Sequence, residues 1–160
     1  MTAISAIRVS RAPVPPGTRQ ETILAKIPGS PGGATALINR GNLLLDGRDY
    51  AGAETAYRSA MTAGDAEYGP LAAIYLGDFL DGPINDAAGA IAAYQQAASS
   101  GHPEWGPAAA FLQAGLLELT EGRRAYEYAI GSGHRDHAPA AAVLFGDELR
   151  RRCHGRRRSF

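Results

Sequence analysis

Two histidines three residues apart, His134 and His137, and the adjacent pair Cys153-His154 are the side chains here best suited to hold a metal, because imidazole and thiolate are usual zinc ligands. Aligning the chain with itself points to a plainer role. His134 and His137 fall where His102 and Trp105, and before them Asp65 and Tyr68, also stand, which makes them turn residues of a repeat. Neither a metal nor a cofactor is expected. Asp and Glu are plentiful, but no pair of them forms an acid–base motif, and they read as solvated helix faces. The chain has no G-x-S-x-G and no P-loop, and its single thiol, Cys153, lies in a basic stretch. No enzymatic activity is expected.

Arginine carries a different kind of chemistry. Arg150–Arg152 and Arg156–Arg158 place six cations within nine residues, a run able to neutralise nucleic-acid phosphates or to give a helical stack its polar end. Formal net charge is zero, but residues 34–149 hold 15 acids against 6 arginines, while the remaining 44 residues hold 10 basic groups and one acid. The chain is therefore an acidic body with basic ends. One cysteine allows no internal disulfide and suits a reducing compartment. No apolar run reaches the roughly 18–20 residues of a membrane span, and no secretory apolar segment opens the chain. Arg8, Arg11 and Arg19 resemble a transit peptide, but Pro13, Pro15 and Pro16 would break its helix. Fifteen arginines against one lysine, with abundant Ala and Gly, suggest a GC-rich bacterial source, and a cytoplasmic location is expected.

The elements that position these residues recur. Asp49–Pro70 (DYAGAETAYRSAMTAGDAEYGP) returns as Asn85–Pro107 (NDAAGAIAAYQQAASSGHPEWGP) and, shortened, as Arg123–Pro139 (RRAYEYAIGSGHRDHAP). Tyr57 to Tyr94 and Pro70 to Pro107 are 37 residues; Tyr94 to Tyr126 and Pro107 to Pro139 are 32. A unit of that length signals a stacked array, in which one helix pair cannot bury its apolar face alone. The pattern predicts a mostly irregular Pro/Gly-rich lead over 1–33, a helical repeat domain over 34–152 and an Arg-rich tail over 153–160. Helices are expected near 34–46, 50–63, 70–81, 86–100, 107–121, 123–132 and 138–152. Asp49 and Asp86 stand as N-caps, and Pro70, Pro107 and Pro139 suit first turns. The rows Ala72/Ala73/Gly77 and Ala90/Ala93/Ala97 permit close helix approach, with Leu76, Phe79, Leu80, Ile91 and Tyr94 filling the space between pairs.

Leu76-Gly77 with Leu80, and Ala53-x3-Tyr57 and Ala90-x3-Tyr94 with Ala60 and Ala97 after them, resemble the tetratricopeptide repeat (TPR), a two-helix unit of about 34 residues. Gly41 and Gly146 take the same glycine slot in the first and last units. Arg40 replaces the leucine before Gly41, Gln113-Ala114 replaces Leu-Gly, and Gly122 replaces the alanine before Tyr126. The third unit lacks five residues around Leu119–Arg123, which predicts a short second helix. Asp81–Pro83 at the inter-helix turn is also similar to the sister family of Sel-like repeats. The resemblance covers about residues 34–151. It implies an all-α, right-handed α-solenoid of about three helix-turn-helix repeats plus a C-terminal capping helix, acting as a protein–protein interaction scaffold.

By repeat register the resemblance implies a concave groove lined by Ile38, Asn42 and Leu45, then Ile74, Asp78 and Asp81, then Phe111 and Glu118, then Val143 and Asp147. The apolar members read equally as inter-helix core. The acids suit a basic or neutral protein or peptide segment. Two other roles stay open: a nucleic-acid-associated adaptor working through the Arg-rich tail, and self-association through the repeat ends.

Overall fold

The computed structural model describes residues 33–156, apart from the side chains of 119–120 and 152–156. The expected lead (all but Gly33) and the side chains of the expected tail lie outside the described residues. Within them the chain is all helical, in seven helices: α1 (Gly33–Asp46), α2 (Tyr50–Thr62), α3 (Gly69–Phe79), α4 (Ala87–Ala98), α5 (Trp105–Leu116), α6 (Leu119–Gly131) and α7 (His137–Arg156), with one π-helical turn, Leu80–Ile84, extending α3. Each helix packs on the next, and α1, α3, α5 and α7 also touch in succession.

Local chemistry sets the element ends, and it repeats. The Asp49 carboxylate accepts from the Gly52 amide at 2.9 Å, and Asp86 accepts from Gly89 at 2.9 Å, so α2 and α4 start on the same aspartate cap. One residue earlier the chain turns through left-handed backbone at Arg48 (φ 61°) and Asn85 (φ 59°). The second helices of the pairs close on left-handed glycines, Gly64, Gly101 and Gly133, at the 37- and 32-residue spacings of the repeat. Entry to the next first helix is capped each time from one place. Asp65 Oδ1 accepts from the amides of Glu67 and Tyr68, both at 3.0 Å. His102 Nδ1 accepts from Glu104 and Trp105, both at 3.2 Å, and His134 Nδ1 from Asp136 at 3.2 Å and His137 at 3.3 Å.

Within a pair the packing is a ring set on a glycine. A Cβ at Gly41 would stand 2.7 Å from Tyr57 Cδ1, and one at Gly77 would stand 2.6 Å from Tyr94 Cδ1, so each glycine is the floor on which a tyrosine lies. Both rings are buried, and both hydroxyls reach the next residue of the facing helix: Tyr57 donates to Asn42 Oδ1 at 2.8 Å and Tyr94 to Asp78 Oδ1 at 2.7 Å. Glycine to tyrosine is 16 residues in the first pair and 17 in the second. The π-helical turn absorbs the extra residue. Asp49 N–H bonds Leu44 O five residues back at 2.8 Å, whereas Asp86 N–H bonds Leu80 O six back at 2.7 Å. Between pairs, Tyr57 stacks on Tyr75 with centroids 6.0 Å apart and meets Phe79 at 6.1 Å.

The third pair departs from this plan, and not as expected. α6 is no short helix: it has 13 residues, beginning at Leu119. The missing residues come from the end of α5, which stops at Leu116 rather than near 121, and from a turn reduced to Leu117-Glu118. With Ala114 in the glycine slot and Gly115 beside it, the tyrosine lock is not rebuilt. Instead Gly122 brings α6 close to the α5 backbone, where an added Cβ would sit 3.1 Å from Ala114 O, and Tyr126 stacks on Phe145 of α7 at 5.4 Å.

Candidate functional site

The ten residues expected to line a groove divide by burial. Ile38, Ile74 and Phe111 are essentially inaccessible, and Leu45 is buried too, so these four belong to the core. The reason is the small side chains beside them. Ala72, Ala73 and Ala108–Ala110, all buried, let the first helices approach so closely that the groove floor is closed. Asn42 and Asp78 stay half-buried, but as the acceptors of Tyr57 and Tyr94 their polar atoms serve packing between helices. Glu118 is exposed at the N-terminus of α6, where it makes no side-chain cap. Asp81 is half-buried in the π-helical turn, and Asp147 is half-exposed on α7, 3.5 Å from Arg150. Val143 is 63% exposed, unlike its register partners Ile38 and Ile74 at 0%.

The exposed large apolar side chains of the first two pairs lie elsewhere, all three at turn ends. Leu43 is 72% exposed at the end of α1, Tyr50 opens α2, and Ile84 closes the π-helical turn. The Tyr50 ring lies 6.2 Å from Phe79, the residue just before that turn, which brings the two turn ends together. Asp46, Asp49, Asp81 and Asp86 stand at the same two turns, so carboxylates accompany the exposed apolar side chains there. The run Leu43–Leu45 carried a signal for this, since three consecutive leucines cannot all face one side of a helix. Two cavities lie away from the edge: about 300 Å³ on the outer side of the first pair beside Leu37, Arg40 and Thr55, and about 340 Å³ where α4, α5 and α6 meet near Gln95, Gln113 and Tyr128.

The histidines behave as caps. His134 Nδ1 is taken by two backbone amides, as is His102 Nδ1, and His102 Nε2 lies 3.2 Å from Glu67, bridging successive turns. The side chains of Cys153 and His154 lie outside the described residues. Among the described residues no group of three His, Cys, Asp or Glu is placed to share a metal. His137 rests on Phe111 with ring centroids 5.9 Å apart, in the place held by Tyr68 and Trp105 in the earlier turns. Burial lowers its pKa below the usual imidazole value; neighbouring His134 adds to this, against Asp136 and Glu104. Burial likewise raises the pKa of Tyr126, helped by Glu148 and opposed by Arg151. No described helix is long and apolar enough to cross a membrane. Comparison of the chain with protein-family models, with curated proteins and with solved structures finds no match.

Proposed function

We propose that the chain is a protein-binding scaffold, its helix pairs stacked as a right-handed α-solenoid of tetratricopeptide type, in the cytoplasm of a bacterium. Support for the stacking is the tyrosine lock repeated in two successive pairs, together with first helices that touch in series. The observation that carries the binding role is that the exposed large apolar side chains of the first two pairs, Leu43, Tyr50 and Ile84, all fall at the turn ends that hold Asp46, Asp49, Asp81 and Asp86. Exposed apolar side chains accompanied by charged ones are the composition of an interface core and its surround. The partner it fits is a neutral or basic protein segment that inserts one or two apolar side chains. This moves the binding surface from the floor of the first helices to the turn edge, and keeps Asp81 as a contact.

Affinity capture with the full chain tests the reading. Leu43→Arg and Asp81→Arg should each reduce recovery of the principal captured protein about tenfold or more while thermal unfolding stays where it is, and removing 153–160 should matter little. Capture that ignores both edge changes, but disappears on tail removal and as salt rises, would replace this reading with phosphate binding by the Arg run.

A further inference from the structure

The tyrosine lock has a third half. In α7 the dipeptide Gly146-Asp147 repeats Gly41-Asn42 of α1 and Gly77-Asp78 of α3, the glycine that floors a tyrosine ring and the acceptor that takes its hydroxyl. In α1 and α3 the glycine is covered. At Gly146, among the described residues, no atom of another element comes within 4 Å of the place a Cβ would occupy. The surrounding residues agree. Ala142 and Val143 are exposed, whereas their counterparts Ala73 and Ile74 in α3, and Ala110 and Phe111 in α5, are buried beneath neighbouring helices. Leu149 is 40% exposed where its counterpart Leu80 is 4%.

We infer that α7 is the receiving half of a helix pair, and that it binds a tyrosine-bearing helix of another protein, whose ring lies on Gly146 and whose hydroxyl donates to Asp147. The chain itself displays the occupant twice. α2 and α4 cover their glycines with Ala-x3-Tyr-x2-Ala, Ala53/Tyr57/Ala60 and Ala90/Tyr94/Ala97, small residues permitting contact and the ring giving register. Residues 1–32 contain no aromatic side chain and residues 157–160 contain no tyrosine. A folded second copy does not offer it either. Tyr57, Tyr75, Tyr94 and Tyr126 are buried in its own core, and the exposed Tyr50 and Tyr128 and the half-buried Tyr68 lack the Ala-x3-Tyr setting. Charge adds direction. Covering helices run antiparallel, so their first turn, capped by Asp49 or Asp86 in the existing pairs, would stand near Arg150 and Arg151, which favours an acidic N-terminus.

The site differs from the turn edge and is tested separately. The probe is a helix-stapled peptide of residues 85–100, titrated into the full chain to about 1 mM and followed by amide chemical shifts, a range that detects weak pairing. Shifts should gather on residues 139–151. Gly146→Ala is the discriminating variant: alanine is the better helix former at an open position, so the fold is not weakened, yet its methyl occupies the ring's place and should abolish the shifts. Asp147→Ala, or a peptide with Tyr94→Phe, should weaken binding about tenfold, while Asp147→Asn should keep it, as Asn42 does for Tyr57. Absence of shifts at α7, or shifts indifferent to Gly146→Ala, would overturn the inference. So would a concentration-dependent mass of the chain alone that Gly146→Ala removes, since the face would then belong to a second copy.

Discussion

The Tyr94 hydroxyl donates to Asp78 Oδ1 at 2.7 Å while its ring lies on Gly77, the residue before. One side chain thus fixes both the distance and the rotation of α3 against α4, and Tyr57 with Asn42 does the same for α1 and α2. Tyr94→Ala should cost roughly 3–5 kcal/mol, because alanine-rich neighbours have little volume with which to close the void. Tyr94→Phe should cost about 1 kcal/mol, and Gly77→Ala about 1–3 kcal/mol despite its gain in helix propensity. Chemical denaturation measures all three; a neutral Gly77→Ala would show that the ring does not rest where described. Asp78→Arg is for the same reason a stability variant, unsuited to testing a binding surface.

Stability should fall on acidification through His137. Its pKa in the folded chain is lowered, so between the ordinary imidazole value of about 6.5 and that lower value the unfolded chain binds the extra proton. This contribution is intact above about pH 7 and is lost as pH drops through the window. Its Nδ1 is buried without a hydrogen-bond partner among the described residues, so a proton there would be left unsatisfied. His137→Tyr, restoring the residue type of Tyr68, should flatten the melting-temperature profile between pH 7 and 5 relative to the parent chain. Parallel profiles would assign the acid sensitivity to other groups.

The aspartate caps should each be worth about 1 kcal/mol: Asp49→Ala and Asp86→Ala lose a bond to the Gly52 or Gly89 amide, whereas Asp→Asn at either position keeps an acceptor and should be near neutral. Thermal unfolding of the four variants checks the pattern.

The third pair should open first. It lacks the tyrosine lock, its inter-helix turn is only Leu117-Glu118, and Tyr126 is committed to Phe145 of α7 rather than to its own first helix. Amide hydrogen exchange should be faster over residues 115–133 than over 70–100, and equal protection would deny the weakness.

Much of this architecture was legible in the chain because the same chemistry is written three times. Asp49, Asp86 and the prolines marked helix starts, and the tyrosine spacing fixed the pairs. Three things were not legible. How closely the first helices approach depends on alanines facing one another from different pairs, and that distance decides that Ile38 and Ile74 are core instead of groove. The 37-residue unit gave no hint that a π-helical turn at Leu80–Ile84 would take up the extra residue. Nor did the five-residue deficit say whether α5, the turn or α6 would shorten; the α6 positions from Gly122 to Ala129 already alternate helically with buried Tyr126, so the loss fell on α5 and the turn.

Photo-crosslinking tests the binding edge most directly. A photoreactive residue at Leu43 or Ile84, compared with one at Ala92 on the exposed side of α4, reports which surface meets the captured partner. The edge account predicts crosslinks from Leu43 and Ile84 and none from Ala92. Crosslinks from Ala92 alone, with Leu43 and Ile84 silent, would contradict it.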